Sequence, residues 1–403
     1  MKLAVVTSFP PSKVTLNEYG YHLVKNFVQK EEVTELLLVT DKSEDPKQLD
    51  FENSNKVTVS ECWSFNSYSN IISIIKTVVK EKPDSILFNL QFVKFGDKKI
   101  PAALGLLLPM ILRLMGFKTM VLMHNILEQV DLGNAGFTTN KLAQKFYNFV
   151  GTSLTKCILK ANKVSVTINK YVDVLNAKYE TNNVVLIPHG TFESITLPSF
   201  DLTPGPKKVM AFGKFGTYKK VEILIDAVEE IRKTSSESIE IVIAGTDSPN
   251  TPGYLESVKK KYNHVKGLTF TGYVEENDVA KIFTESAIVA FPYTSTTGSS
   301  GVLHQAGSYG KAVVMPDLGD LALLVEEEGY KGEFFIPGCV QSLAKAMKTI
   351  LANDVYRREI ALANFSAASE LSMNKIASMY LREFRLMNAR AAQELEGGLV
   401  SYI

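Results

Sequence analysis

Phe291 to Val314 reads FPYTSTTGSSGVLHQAGSYGKAVV, and this stretch decides the fold. The apolar run Ile288 to Phe291 reads as a strand that gives out into a polar loop, Thr294 to Ser300, made almost wholly of Thr, Ser and Gly. The spacing predicts a helix from Gly301 to Tyr309, stopped by Gly310, with Ala312 to Val314 as the next strand. Strand, small-residue loop and helix together suit an anion. The first backbone N–H groups of a helix have no partner within it, and its dipole favours negative charge. Gly298 and Gly301 would let a ligand approach the backbone closely, beside Thr297, Ser299 and Ser300. The same pattern also fits a plain βα turn rich in capping residues, which recurs throughout α/β proteins.

Outward from this stretch the alternation of strand and helix continues in both directions. Towards the C-terminus one long helix is expected after Asn374, with apolar residues at Ile376, Met379, Tyr380, Phe384 and Met387. Towards the N-terminus, Val209 to Phe212, Ile239 to Ala244 and Leu268 to Thr271 read as strands, with the clearest helix from Lys220 to Arg232. Leu197 to Pro206, LPSFDLTPGP, breaks the pattern with three prolines and a glycine, and reads as a linker. Before it, strands are expected at Leu3 to Thr7, Leu36 to Thr40, Ser85 to Asn89, Thr119 to Met123, Val164 to Ile168 and Val184 to Ile187. Helices fall at about 18–29, 69–81, 102–115 and 141–160. Short apolar strands separated by helices imply parallel sheets covered on both faces. The expectation is two α/β, doubly wound domains, 1–197 and 207–374, with the helix 375–393 packing back on the first. Ligands in such sheets sit at the carboxyl ends of strands.

Composition narrows the function classes. The 403 residues are 45% hydrophobic and 22% charged, as in soluble globular proteins. Net charge is +1, so nothing global points to nucleic acid. Cys62, Cys157 and Cys339 lack metal-ligand or redox spacing and suit a reducing, cytoplasmic setting. No signal peptide is expected, because Met1-Lys2 runs straight into a strand. The most apolar stretch, 101–115, is shorter than the ~20 residues of a membrane span. It reads as a buried or half-buried helix, or as a surface helix making peripheral contact with a bilayer.

The motifs, in order, resemble retaining glycosyltransferases of family 4, whose fold is GT-B. Ile187-Pro188-His189-Gly190 is similar to the turn that ends the family's first domain. Phe212-Gly213-Lys214-Phe215 with Lys219-Lys220-Val221 and Leu224-Ile225-Asp226-Ala227 resembles the opening of its second. Ile241 to Gly245 and Phe270 to Val274 are similar to two further core strands, and Gln305-Ala306 with Gly310 to Val314 to the segment that carries a family glutamate. The resemblance implies two Rossmann-like domains facing each other across a cleft, and transfer of a sugar from a nucleoside diphosphate to an acceptor hydroxyl. The acceptor would be a glycan, a lipid-linked or a small molecule.

The resemblance also implies roles for residues. Lys214 and Lys219 would neutralise charge growing on the leaving diphosphate. His124 would meet a hydroxyl of the donor sugar. Gly213, Gly245, Tyr273, Val274, Thr297, Gly298, Ser299, Ser300, Gly301 and Gln305 would line the donor. Apart from the resemblance, Tyr19 and Asn17 in the first loop, with Glu128 and Asp131, are candidates to meet the acceptor, although ordinary polar loop residues fit the same positions. No metal and no resident cofactor are expected. The family's glutamate pair falls on Thr297 and Gln305, so both carboxylates are missing. Its paired glycines in the first loop are replaced by Ser12-Lys13, and Lys214 stands for an arginine. These departures favour a rival reading, a catalytically silent binder of nucleotide-sugars. A third reading, an epimerase with two similar domains, lacks a pair of acid/base carboxylates.

Overall fold

The computed structural model describes residues 1–92, 94–126, 141–192, 196–248, 250–295 and 299–400. By its internal contacts the chain divides into two compact units. One runs to His189 and takes in the chain from Met373; the other is Gly190–Ser372.

The first unit comprises β1 (Lys2–Val6), α1 (Asn17–Val28), β2 (Glu35–Asp41), β3 (Val57–Trp63), α2 (Asn70–Glu81), β4 (Ser85–Leu90), α3 (Lys99–Leu106), α4 (Leu108–Leu114), β5 (Lys118–Met123), α5 (Lys141–Ile158), β6 (Lys163–Val166), α6 (Asn169–Tyr179) and β7 (Val184–Leu186). Its seven strands are all parallel, in the order β3-β2-β1-β4-β5-β6-β7. Leu3 to Val6, Leu36 to Val39 and Ile86 to Phe88 are buried, which is why these strands read as continuous apolar runs.

The second unit comprises β8 (Lys207–Phe215), α7 (Glu222–Arg232), β9 (Ile239–Asp247), α8 (Tyr254–Lys261), β10 (Leu268–Gly272), α9 (Glu276–Glu285), β11 (Ser286–Ala290), α10 (Gly301–Ser308), β12 (Ala312–Pro316), α11 (Gly319–Glu328), β13 (Glu333–Phe335), α12 (Val340–Leu351) and α13 (Asp354–Glu370). Its order, β10-β9-β8-β11-β12-β13, repeats the logic of the first sheet, again with parallel pairs. In both sheets the chain starts in the middle, winds outward, then crosses to the other side. The connections that leave the two strands at each crossing run to opposite sides of the sheet, and a ligand is held there in folds of this kind.

The last helix, α14 (Met373–Val400), belongs with the first unit and packs against α1. Ile376, Ala377, Tyr380, Leu381 and Phe384 are buried. The Tyr380 ring lies 6.1 Å from Phe27 of α1, and its hydroxyl 3.4 Å from Ser165 Oγ. Met379, expected on the apolar face, is exposed.

Four local expectations need correcting. The single helix at 102–115 is two, α3 and α4, because Pro109 supplies no N–H to the preceding turn. Of its residues, Leu106, Leu108 and Leu112 are buried, whereas Leu114 and Met115, with Ile100 just before it, are exposed. The stretch 197–206 is part of the second unit: Phe200 packs edge-on against Phe365 of α13, and Arg357 donates to the Phe200 carbonyl at 2.6 Å. Strand β8 runs on through Gly213 and Lys214, so Lys214 lies on the strand and not beyond it. Two strands, β3 and β13, come in addition to those expected.

Candidate functional site

Two groups of polar side chains stand at carboxyl ends of strands, one in each unit. In the first unit the central strands β1, β4 and β5 end in Thr7-Ser8, Asn89 and His124. Asn89 Nδ2 donates to Thr7 Oγ1 at 3.0 Å, which orients the amide so that Oδ1 faces His124 Nε2 at 2.7 Å. The imidazole therefore carries its proton on Nε2 and leaves Nδ1 as an acceptor. Burial, together with His189 and Lys94 nearby, holds the His124 pKa well below its ordinary value, so the ring is neutral at physiological pH. It packs edge-on against Tyr19, centroids 4.6 Å apart, and 5.8 Å from His189.

Tyr19 serves a different purpose from the one expected. Its side chain is 2% exposed and its hydroxyl donates to the His189 carbonyl at 2.9 Å. It fixes the rings of His124 and His189 and is not displayed to an acceptor. Asn17 likewise spends its amide on the Ser12 carbonyl, at 2.7 Å. Glu128 and Asp131 lie outside the described residues.

Two residues that sequence reasoning missed complete this group. Asn89, a polar residue closing an apolar strand, is one; its position was the available signal. The other is Lys94, 1% exposed, whose ammonium donates to Ser8 Oγ and to the Thr15 carbonyl, the latter at 2.8 Å. No carboxylate lies within ion-pair distance of it among the described residues. Burial pushes its pKa down to about 7, with Asp41 opposing the shift. Lys94 thus straps the loop between β1 and α1 to the end of β4. A second lysine, Lys47, reaches the Phe9 carbonyl of that loop at 3.3 Å and Asp41 at 3.5 Å.

In the second unit the group forms around β8 and β9. Gly213 and Gly245 are paired across these strands with φ of 131° and 136°. A Cβ on Gly245 would lie 1.9 Å from the Gly213 carbonyl oxygen, so only glycine fits where the two strands close up. A Cβ on Gly213 would lie 3.0 Å from Lys219 Nζ. The Lys219 ammonium sits over Tyr293, 4.7 Å from the ring centre, and 5.8 Å from that of Tyr218. It has no hydrogen bond or ion pair among the described residues. Desolvation lowers its pKa, and Tyr218 opposes this. A backbone bridge between Lys219 and Tyr293 fixes the turn that carries it. Lys214 is exposed on the same strand end.

Ser299 and Ser300 lead into α10. Ser300 is its N-cap, yet no side chain caps the helix; the Leu303 N–H donates to the Ser300 carbonyl at 3.0 Å, and the N–H groups of Gly301 and Val302 remain available among the described residues. Gln305, one and a half turns in, is half-buried. Tyr273 is exposed and Val274 half-buried beyond the end of β10. Thr271 Oγ1 accepts from the Gly245 N–H at 3.2 Å and so ties β10 to β9. Thr297 and Gly298 lie outside the described residues. His304, which could have faced either way, points inward and is buried.

The arrangement can hold an anion: an unpaired cation, glycine backbone without Cβ, and an uncapped helix start. No group of three or more His, Cys, Asp or Glu side chains with the arrangement of a metal site occurs among the described residues. Among the same residues, no helix is long and apolar enough to cross a membrane.

The same architecture occurs in solved structures. Sucrose-phosphate synthase from Thermosynechococcus elongatus superposes with a TM-score of 0.74 at 16% identity, covering 97% of this chain and 100% of that one. Anabaena HepE in complex with UDP-glucose gives 0.68 at 16% identity, covering 96% and 99%. WaaG, a glycosyltransferase involved in lipopolysaccharide biosynthesis, gives 0.63 at 11% identity, covering 94% and 98%. At these identities the likeness is one of fold, and that fold is GT-B. No curated protein sequence matches the chain. Residues 206–353, the greater part of the second unit, match the family described as Glycosyl transferases group 1.

Proposed function

We propose that the chain is a retaining glycosyltransferase that moves a hexose from a nucleoside-diphosphate sugar to the hydroxyl of a glycan, lipid-linked or small-molecule acceptor. The observation that carries this reading is the Lys219 ammonium, held over Tyr293 beside Gly213 with no anion to meet it among the described residues. A half-buried cation without a partner is a site for a negative ligand. The family match over the same residues makes a diphosphate the natural choice, and HepE, which shares the fold, has been solved with UDP-glucose.

In this reading the diphosphate lies at the start of α10, and Lys219 and Lys214 offset the charge that grows as it leaves. With lysines and a helix dipole in that role, the reaction needs no divalent metal. His124, neutral and oriented by Asn89, accepts a sugar hydroxyl proton at Nδ1. The enzyme works in the cytoplasm, with 101–115 resting on a membrane through the exposed Leu114 and Met115, joined by Ile100 just before it.

The rival is a binder that lost catalysis. Gln305 favours it, since this residue stands on α10 where the family has a carboxylate. Release of free nucleotide from UDP-, GDP- and ADP-sugars decides between them. A transferase or slow hydrolase frees nucleotide from one of the panel. A binder is stabilised against heat by that sugar nucleotide and frees none. A chain that neither binds nor turns over any of them refutes both.

A further inference from the structure

The inner face of α10 carries an acid–base pair that the proposed chemistry does not use. His304 is 2% exposed. Its Nδ1 lies 2.8 Å from Tyr330 Oη and its Nε2 3.0 Å from Ser299 Oγ. Glu328, the last residue of α11, brings Oε2 within 3.8 Å of the same Nε2. The Glu328 side chain is 6% exposed, and neither carboxylate oxygen has a hydrogen-bond partner among the described residues. A buried carboxylate that nothing donates to is tolerated only if it keeps a proton or faces a cation. His304 is the group in reach that can become one.

We propose that His304 and Glu328 share one proton and act together as positioning residues for the loop that enters α10, holding Ser299 so that the helix's uncapped N–H groups face the ligand. The inference rests on reading that loop as the diphosphate site. With the proton on the ring, both N–H groups donate, one to Tyr330 and one to Ser299, and Glu328 supplies the counter-charge. When the proton leaves, the ring keeps one N–H, and an uncompensated negative charge remains beneath a helix start that is to hold an anion. Ligand affinity then falls.

Among the described residues, the surroundings do not supply another counter-charge. Burial pushes the Glu328 carboxyl up to about 8, and its neighbour on α11, Glu327, adds to the shift. On α13, which packs against α10, Arg357 and Arg358 are both committed to Asp354, and Glu359 acts on Tyr356. Lys311, at the foot of β12, donates to the Thr284 carbonyl. The uncharged Asn364 of α13 bridges the Lys331 N–H and the Lys311 carbonyl.

The test is calorimetric titration of UDP, GDP and ADP into the wild type, Glu328→Gln and His304→Gln at about pH 7 and about pH 9, on either side of the Glu328 value. The wild type should bind its nucleotide roughly tenfold less tightly at the higher pH. Glu328→Gln should bind at both and lose most of that dependence. His304→Gln keeps a donor for Ser299 but leaves Glu328 to ionise alone, so its affinity should still fall as pH rises; an affinity as flat as that of Glu328→Gln would overturn the role given to the Glu328 charge. Lys219 also deprotonates at alkaline pH, so a loss that persists undiminished in Glu328→Gln belongs to Lys219 and overturns the proposal. If no nucleotide binds even at about pH 7, the reading of the loop fails, and a ligand-free measurement then judges the pair. A carboxyl raised on folding makes stability fall as pH rises from its ordinary value towards the raised one. The wild type should therefore lose melting temperature relative to Glu328→Gln over that range; parallel profiles would overturn the shared proton.

Discussion

Lys219 Nζ stands 4.7 Å above the centre of the Tyr293 ring, and a backbone bridge joins the two residues. The ring holds the ammonium in place without neutralising it, which keeps the full charge for a ligand. Lys219→Gln should weaken binding of the nucleoside diphosphate by about 1.5–3 kcal/mol, the usual worth of a charge-assisted contact, and slow transfer further. Tyr293→Leu leaves the charge but frees it, so its loss should be the smaller of the two. Calorimetry with UDP measures both; equal affinity in wild type and Lys219→Gln would remove this lysine from the site.

His124→Ala should leave nucleotide affinity nearly intact and lower turnover. Asn89→Leu should reproduce part of that defect, because it removes the acceptor that keeps the His124 proton on Nε2. Since burial holds His124 neutral, the rate profile should carry no step from this residue near the ordinary histidine value. Steady-state rates across pH for the three proteins provide the check.

Burial acts in the same sense at Lys94, and the sign can be followed through. Its native pKa is pushed down to about 7, while the unfolded chain keeps the ordinary lysine value. Between the two, the unfolded state binds more protons, so stability rises with pH at up to about 1.4 kcal/mol per pH unit. Lys94→Met, which keeps the length and discards the charge, should flatten that rise. Urea unfolding from neutral to alkaline pH measures it, and a slope unchanged in the variant would contradict the assignment.

Gly245→Ala places a methyl group 1.9 Å from the Gly213 carbonyl oxygen and demands a φ that alanine avoids. The ends of β8 and β9 would have to part, and Lys219 stands beside Gly213. The variant should lose nucleotide binding out of proportion to its loss of stability, as read by calorimetry and melting of the same sample.

Much of the architecture was legible because buried parallel strands are written as unbroken apolar runs. Ile239 to Ala244 and Ser85 to Asn89 left little choice. Where that writing fails, so did the reading. Strand β3, VTVSECW, lies at the sheet's edge and is mostly half-buried, so its polar residues disguise it. Strand β13 is three residues long and carries no period at all. Gly213 and Lys214 read as the loop after β8, because a glycine ordinarily weakens a strand, whereas β8 continues through Gly213 with a φ of 131°. The candidate site was legible where motif and position coincide, as at His124, Gly213, Lys219 and Ser299. Lys94, Asn89 and the meeting of His304 with Glu328 depend on contacts between distant parts of the chain. No local pattern encodes them.

The return of α14 to the first unit has a consequence for the order in which the protein is made. Leu23, Val24 and Phe27 of α1 are synthesised early, yet part of the surface that covers them, around Tyr380, comes only after the whole of the second unit. The described part of the second unit falls within the single span Gly190 to Ser372 and can close on itself as it leaves the ribosome. Domains usually mature in the order in which they are translated. Here the amino-terminal unit is begun first and finished last, and for most of its synthesis it must wait with an apolar seam open to whatever else is in the cell.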